Sequence, residues 1–292
     1  MEIESRYVGT RSQPLTVALS PRQTMNYAAA LGDGNPHYFD DTRVAGICAP
    51  PMLAVALTWP LSSRFDVYWG DSDFPVEAQQ RQVHYNERIL WNRAMAPDET
   101  LTIQGEIVAM TPHPGGTEIT IRYEATGRDG GRVFTEYIGG LLRNVALVDE
   151  GRFSDEVPPP IASPEGDTEQ WSTSIGIDPL AAHLYDGCTD IVFPIHTSVA
   201  FARQVGLPDP IYHGTATLGL AVREILDREG GGDPARLREV RGGFRGMVMP
   251  GSSITLRVNA IQGHEGQEIV HFSVVNSEGA DAIRNGRVHL DI

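Results

Sequence analysis

Side chains suited to acid–base chemistry are concentrated in residues 188 to 214, which read CTDIVFPIHTSVAFARQVGLPDPIYHG. This stretch contains Asp190, His196 and the adjacent pair His213 and Gly214. An imidazole held by a carboxylate can accept and return protons near neutral pH, because its pKa lies in that range. We therefore predict that His196 is the general acid–base residue and that Asp190 is its partner. His213 is predicted to be structural, with a hydrogen bond beside the start of a helix.

Gly214 offers a second chemical function. The residues from 214 to 226 have the apolar spacing of a buried helix, which would place Gly214 at the helix N-terminus. Backbone N–H groups at that end have no partner within the helix and favour negative charge. A glycine also lets a substrate approach the backbone closely. The sequence thus predicts an oxyanion donor at Gly214.

Other catalytic chemistries have little support in the sequence. The chain contains no lysine, which excludes a Schiff base on a lysine side chain. Cys48 and Cys188 lack metal-ligand spacing, and the nine histidines form no His-x-Glu or HExxH pattern, so no metal site is predicted. A Cys188–His196 nucleophile is an alternative to the simpler interpretation of Cys188 as a small buried residue.

The composition is that of an acidic globular protein. Hydrophobic residues make up 41% of the 292 residues, and the formal net charge is −15. Such a charge disfavours binding to nucleic acid or to anionic membranes. No apolar run approaches the roughly 20 residues that span a bilayer, and the first residues, MEIESRYVGTRSQPL, lack the pattern of a signal peptide. We expect a cytoplasmic protein.

Sequence motifs recur in the two halves of the chain. MAPDETLTI (95–103) parallels VMPGSSITL (248–256), and APPMLAVALTWPL (49–61) parallels YHGTATLGLAVREIL (212–226). The order and spacing of these motifs predict a tandem duplication. Three consecutive prolines with flanking acids indicate an extended linker between the halves. The predicted divisions are a first repeat at 1–150, a linker at 151–170 and a second repeat at 171–292.

Each half is predicted to have a helical front and a strand-rich back. Ser20 and Pro21 have the residue types of a helix start, which predicts a helix over 21–31. Alternating apolar residues predict four strands in each half. The predicted strands are 82–92, 100–110, 117–127 and 132–145 in the first half, and 237–249, 253–262, 267–276 and 281–290 in the second. A long buried helix against an antiparallel sheet, present twice, is an α+β arrangement.

These motifs resemble the MaoC-like dehydratases, the family of the (R)-specific enoyl-CoA hydratase 2 enzymes. In the first half the resemblance is carried by YAAALGDGNPHYFDD (27–41) and GICAPPMLAVAL (46–57). In the second it is carried by PIHTSVAFARQVGLPDPIYHGTATLGLA (194–221) and GGFRGMVMPGSSITL (242–256). The family fold is the hot dog, an antiparallel sheet wrapped around a central helix, and two repeats in one chain form a double hot dog.

The resemblance implies a hydro-lyase that adds or removes water at C2–C3 of an acyl thioester. The second repeat would be catalytic, with Gly214 as oxyanion donor, and the first would help to house the acyl chain. No metal or prosthetic group is implied, since CoA or phosphopantetheine is part of the substrate. The partner is then a small acyl thioester or an acyl carrier protein. The substrate-binding residues that we predict are Tyr185, Phe193, Met52, Leu53 and Leu57.

The second repeat departs from the family signature Asp-x-Asn-Pro-Leu/Ile-His. Pro194 and His196 match, but Phe193 stands at the asparagine position and Ile191 at the aspartate position. Asp190 lies one residue upstream, and a one-residue bulge before Pro194 would return its carboxylate to the site.

The first repeat keeps the acidic part of the signature. Asp33, Asn35 and Pro36 match, but Tyr38 stands at the histidine position, and Pro51 removes one N–H at the following helix. We expect a structural or lid role for this segment, with a second acid–base site as the alternative.

The altered signature leaves other functions open. One alternative is a hot-dog enzyme repurposed for elimination, isomerisation or cyclisation in secondary metabolism. The others are a thioesterase and a non-catalytic acyl-binding subunit. Two hot dogs in one chain are compatible with a monomer and with a homodimer of double hot dogs.

Overall fold

The computed structural model describes residues 1–70, 72–154, 169–264 and 266–292. In the first half the strands are β1 (Glu2–Ile3), β2 (Leu15–Ala18), β3 (Gln82–Trp91), β4 (Thr100–His113), β5 (Gly116–Thr126), β6 (Arg132–Arg143), β7 (Ala146–Leu147) and β8 (Arg152–Phe153). In the second half they are β9 (Trp171–Gly176), β10 (Leu237–Phe244), β11 (Ser253–His264), β12 (Gln267–Asn276) and β13 (Asp281–Asp291).

The helices precede the long strands in each half. In the first half they are α1 (Pro21–Ala30), α2 (Pro36–Phe39), α3 (Ala54–Ser63), α4 (Phe65–Tyr68) and α5 (Val76–Gln79). In the second half they are α6 (Ala181–Thr189), α7 (Val199–Gln204) and α8 (Gly214–Arg228). Short 3₁₀ turns occupy Ser5–Tyr7, Pro51–Leu53, Pro194–His196 and Pro234–Arg236. None of the helices in the described ranges is long and apolar enough to cross a membrane.

Local sequence explains where these helices begin. At α1 the Ser20 hydroxyl accepts a hydrogen bond from the Gln23 N–H at 3.1 Å, and Pro21 occupies the first helical position. The central helix α3 is apolar around most of its circumference and is buried accordingly. Helix α8 buries nine of its fifteen residues, so both long helices lie inside the molecule against the sheet.

The main sheet has mirror symmetry in its strand order. That order is β2-β4-β5-β6-β3-β10-β13-β12-β11-β9, and neighbouring strands are antiparallel. Each of the five first-half strands in this order has its counterpart at the mirrored place in the second half; β1, β7 and β8 lie outside this symmetry. The halves join where β3 pairs with β10, with Arg88 opposite Arg241 and Asn86 opposite Gly243. This order confirms the predicted α+β double hot dog.

Helices α1 and α6 meet across the same junction. Tyr27 on α1 and Tyr185 on α6 each stand nine residues before the proline of their repeat's signature, at equivalent positions of the duplication. Both are fully buried, and their hydroxyl groups lie 3.2 Å apart. The two copies of one position therefore face each other at the interface between the repeats.

The structure differs from the predicted elements mainly at their ends. Strand β10 stops at Phe244 instead of 249: the Arg245 and Gly246 N–H groups still donate to the Ala282 and Asp281 carbonyl oxygens, and the chain bends at Gly246. Helix α6 and the edge strands β2 and β9 were not predicted. Of the predicted linker, 155–168 lies outside the described residues.

Candidate active site

His196 lies on the 3₁₀ turn Pro194–His196 and is held by the backbone. Its Nδ1 lies 2.9 Å from the carbonyl oxygen of Ile211. A carbonyl only accepts, so Nδ1 carries the proton and Nε2 of the neutral ring is left with a free lone pair. Burial lowers the pKa of His196 to about 4, and the Ile211 carbonyl offsets only part of this effect. The side chain is thus a neutral base with a fixed tautomer.

The His213 ring stacks against the His196 ring. The two imidazole rings are stacked, with centroids 3.6 Å apart and an interplanar angle of 23°. Nε2 of His213 lies 3.3 Å from the Ile191 carbonyl, and its buried Nδ1 has no hydrogen-bond partner among the described residues. Burial, followed by the neighbouring His196, lowers the pKa of His213 to about 2. His213 is therefore neutral and orients the site.

The structure does not bring Asp190 to His196. Asp190 ends α6 in a left-handed conformation with φ 58°, and its side chain is exposed. This reversal turns Ile191 inward, where it is buried and its carbonyl meets His213. Within the described residues, no carboxylate lies at hydrogen-bond or ion-pair distance from His196. The expected bulge is replaced by a helix cap that points the acid to solvent.

Asp186 is a residue near this turn that sequence analysis missed. It lies one helical turn before Asp190, and the Phe193 N–H helps to hold its carboxylate. Its Oδ2 is buried without a partner in the described part of the chain, and desolvation raises its pKa. Asp186 could have been found from its spacing, because it stands four residues before Asp190 and residues four apart share one face of a helix. Asp186 anchors the loop that leads to His196.

Gly214 begins α8, as predicted, directly after His213. A Cβ atom placed on Gly214 would lie 3.1 Å from the Phe244 ring, so any larger residue here requires the ring to move by a few tenths of an ångström. The N–H groups of the first helical turn have no partner within α8 and point towards its N-terminal end. Tyr185 donates to the Thr215 hydroxyl at 3.2 Å, which fixes this turn against α6.

The predicted substrate-binding residues occupy three different environments. Tyr185 is fully buried, and its ring lies 4.8 Å from that of His213. Phe193 is 41% exposed, and its ring lies 6.4 Å from that of His196. Met52, Leu53 and Leu57 are all buried in the core around α3. Tyr185 and Phe193 thus border the histidine pair, and the pocket-wall role of the three apolar residues stays a prediction.

The first-repeat signature lies at the opposite end of α8. Asn35 accepts from the His37 N–H at 3.0 Å and donates to the Gly232 carbonyl at 2.7 Å. Asp33 accepts from the Asn35 N–H at 3.0 Å. These residues border a cleft of about 540 Å³ that also contains Arg223 and Asp227 of α8. The Asn35–Gly232 bond connects this segment to the chain beyond α8, and its expected structural or lid role stays a prediction.

Two buried glutamates of the first repeat were also missed. Glu87 on β3 and Glu136 on β6 are 1% and 0% exposed, respectively. The signal was their place at inward positions of otherwise apolar strands, ERILW and FTEYI. Elsewhere, no group of three or more His, Cys, Asp or Glu side chains in the described ranges is arranged to hold a metal ion.

Comparison with protein families covers both halves. Residues 162–281 match the model of the MaoC like domain, and residues 6–136 match that of the FAS1-like dehydratase domain region. The chain thus carries a MaoC-like domain in its second half and a FAS1-like dehydratase region in its first half. A MaoC-like dehydratase from Phytophthora capsici has the same fold, with a TM-score of 0.82, 22% identity and 96% of each chain covered. A Mycobacterium tuberculosis protein described as a double hotdog fold has a TM-score of 0.63 at 16% identity.

Curated relatives match over very different lengths. The 3-hydroxyacyl-thioester dehydratase Y of Mycobacterium tuberculosis is 24% identical, over all of this chain and 97% of the relative. Enoyl-CoA hydratase ChsH3 of the same organism is 24% identical over 86% of this chain and 87% of the relative. A fatty acid synthase subunit beta of Aspergillus oryzae is 43% identical, but over 27% of this chain and only 4% of that relative.

Proposed function

We propose that this protein is a hydro-lyase that adds or removes water across C2–C3 of an acyl thioester. The observation that carries the proposal is the free Nε2 lone pair of His196 next to the N-terminus of α8 at Gly214. One group accepts a proton from water, and the other stabilises the negative charge that develops on a thioester oxygen. The MaoC-like domain in the second half and the activities named for the chain's relatives support the same reaction.

In the hydration direction, Nε2 of His196 takes a proton from water while the water oxygen bonds to C3. The C2–C3 π electrons move towards the thioester carbonyl, whose oxygen becomes an enolate oxygen held by the Gly214 N–H and the positive end of α8. The imidazolium then returns the proton to C2. Water has been added, and His196 is neutral again. Dehydration follows the same steps in reverse.

His196 performs both proton transfers without a carboxylate beside it. A desolvated imidazolium is costly to form, so the site favours a short-lived cation and rapid return of the proton. The backbone carbonyl of Ile211 takes over the orienting role that was expected of Asp190. In this proposal Asp190 has no part in the chemistry.

The loss of the signature aspartate at Ile191 favours one alternative function for the same site, that of a repurposed enzyme. A repurposed enzyme would use His196 and Gly214 for an elimination or isomerisation on a bulkier secondary metabolite. The altered signature at Ile191 and Phe193 supports this alternative, since both substitutions remove a polar side chain next to the base.

The proposed substrate is carried as a thioester of CoA or of an acyl carrier protein, and the protein itself needs no prosthetic group.

Because the tandem repeats already form a pair of hot dogs, the active unit of the proposal is one chain. A homodimer of such chains and a cytoplasmic location stay predictions.

The test is a spectrophotometric assay of hydration. Loss of the conjugated enoyl-thioester absorbance is followed with short, medium and branched 2-enoyl-CoA substrates for wild type, His196→Ala and the exposed-histidine control His183→Ala. The proposal predicts turnover by wild type and by the control, with none by His196→Ala. Absence of turnover by folded wild type on all substrates would count against hydration and favour the repurposed enzyme.

A further inference from the structure

Glu87 and Glu136 face the interior from neighbouring strands. In the ladder of β3 and β6, Glu87 is opposite Ile138 and Ile89 is opposite Glu136, so both acids share the inward face of the sheet. They are close enough that the charge of Glu87 raises the pKa of Glu136. Glu136 points towards helix α3, where its carboxyl group lies near the Thr58 hydroxyl. The two carboxyl groups therefore form one polar cluster in an apolar core.

This cluster has too few protein partners for its four carboxyl oxygens. All four carboxyl oxygens are buried and lack a hydrogen-bond partner among the described residues. His84 Nε2 lies between two partners, 3.1 Å from Glu87 Oε2 and 3.2 Å from the Asn86 carbonyl oxygen, so it can serve at most one of the four carboxyl oxygens. The Thr58 hydroxyl lies 3.3 Å from the Val55 carbonyl, to which it donates. Most of the hydrogen-bonding capacity of the cluster is therefore left for a partner from outside the chain.

The side chains of Phe244 and Tyr185 lie between this cluster and the candidate active site. The His84 ring packs edge-on against Phe244, with centroids 4.6 Å apart, and Phe244 covers Gly214. On the other side, Tyr185 is close enough for both glutamates to raise its pKa. The carboxyl groups thus lie close to the candidate active site. They belong to the first repeat, which was predicted to help house the acyl chain.

The electrostatics favour a neutral polar ligand. Burial raises the pKa of both glutamates well above the ordinary value and lowers that of His84 to about 4, so the cluster is uncharged at neutral pH. A neutral carboxyl group both donates and accepts hydrogen bonds, as a hydroxyl group does. An ammonium group would require ionised glutamates in a low-dielectric site, and an apolar chain would leave four oxygens unsatisfied.

We propose that Glu87 and Glu136 bind a hydroxyl group on the acyl chain, so that the substrate is an acyl thioester hydroxylated beyond C3. This inference rests on the proposed function, since it extends the acyl site of the same enzyme. One carboxyl group donates to the hydroxyl oxygen, and the hydroxyl donates to the other carboxyl. An unsubstituted chain would bury the pair without these bonds and would bind more weakly.

The test measures binding separately from turnover. Saturated acyl-CoA probes of one chain length, either unsubstituted or with a single hydroxyl group moved stepwise beyond C3, are titrated calorimetrically into the full-length protein. We expect one hydroxyl position to bind roughly tenfold to a hundredfold more tightly than the unsubstituted chain. Equal affinity at every position, or tighter binding of an amino group at the same position, would overturn the proposal.

Variants separate a binding role from a structural one. Glu87→Leu and Glu136→Leu should abolish the preference for the hydroxylated probe and keep or improve binding of the unsubstituted one. Glu136→Gln retains a donor and an acceptor and should keep part of the preference, whereas the exposed-acid control Glu77→Leu should keep all of it. Equal loss of both probes in the leucine variants would mean that the acids support the fold or the chemistry instead.

The same experiment distinguishes this inference from the proposed function. Hydration of enoyl-CoA without any hydroxyl preference would retain the hydro-lyase and reject the subsite. A hydroxyl preference in binding, with no hydration of the matching hydroxylated enoyl-CoA, would retain the subsite and reject the reaction.

Discussion

At the scale of the residue, His196 and Asp190 are predicted to behave differently although they are close in sequence. His196→Gln should lower kcat for hydration by roughly 100-fold or more, since it removes the proton-transfer group. Asp190→Asn should leave kcat close to that of wild type, because Asp190 is exposed and makes no bond to His196. Initial rates with a 2-enoyl-CoA check both values. A large loss in Asp190→Asn would show that the acid reaches the site during turnover.

The pH dependence of activity is a second prediction at this scale. The base must be neutral, and burial lowers the pKa of His196 to about 4 from about 6.5 in an exposed side chain. Activity should therefore persist through mildly acidic pH and fall only as pH drops through about 4. A profile of kcat/KM against pH, measured where the protein stays folded, checks this. An acidic limb near pH 6.5 would mean that His196 is solvated or paired in the working enzyme.

Residue types were predicted better than residue orientations. His196 and Gly214 could be located because a histidine after proline and a His-Gly pair before an apolar helix are local patterns. The direction of Asp190 could not, since it depends on a single left-handed residue that ends α6. The glutamate cluster was missed because its two acids are far apart in sequence and are combined only by strand pairing.

At the scale of the element, the close fit between α8 and β10 makes Gly214 sensitive to substitution. Gly214→Ala places a methyl group 3.1 Å from the Phe244 ring, beside the proposed oxyanion donor, and should lower kcat more than it lowers thermal stability. Gly219→Ala on the same helix is the matched control. Its methyl group would meet Leu31 in the core at 2.8 Å, so it should lower Tm and leave the kcat of the folded enzyme nearly unchanged. Similar effects of the two variants on kcat would remove the special role of Gly214.

Long elements were predictable because their patterns are periodic. The eight long strands alternate apolar and polar residues, and α8 repeats apolar residues at helical spacing, so their cores were located within a few residues. Helix α6 was missed since Leu180 at its start provides no side-chain cap and Gly187 interrupts its pattern. The edge strands β2 and β9 are short, at four and six residues, and are defined mainly by pairing with β4 and β11.

At the scale of the whole molecule, the repeats are joined by more than the linker. The β3–β10 ladder and the α1–α6 contact, with its Tyr27–Tyr185 pair, connect the two halves directly. Separate chains of residues 1–154 and 169–292, produced together, should therefore associate and retain hydration activity. Size-exclusion chromatography and the absorbance assay test this. Separate, inactive halves would show that the covalent connection is required to form the junction.

The buried glutamates also shape the stability of the whole protein. Their pKa values are raised in the folded state, so above about pH 4.5 the folded protein holds protons that the unfolded chain has released. The stability contributed by the neutral carboxyl groups is therefore complete at lower pH and is lost as pH rises towards their folded-state pKa values. Over that range, each group lowers the free energy of unfolding by up to about 1.4 kcal/mol per pH unit.

Replacing Glu87 and Glu136 together with leucine should remove this loss. The variant should be more stable than wild type at neutral pH, and the difference in Tm should grow as pH is raised from about 5 to about 8. The buried histidines act in the opposite direction, since lowered pKa values make folding less favourable as pH falls. They are present in both proteins, so the difference between the two Tm curves reports the glutamates. A difference that stays constant with pH would mean that the carboxyl groups are ionised in the folded protein and that a neutral hydroxyl group is the wrong ligand for them.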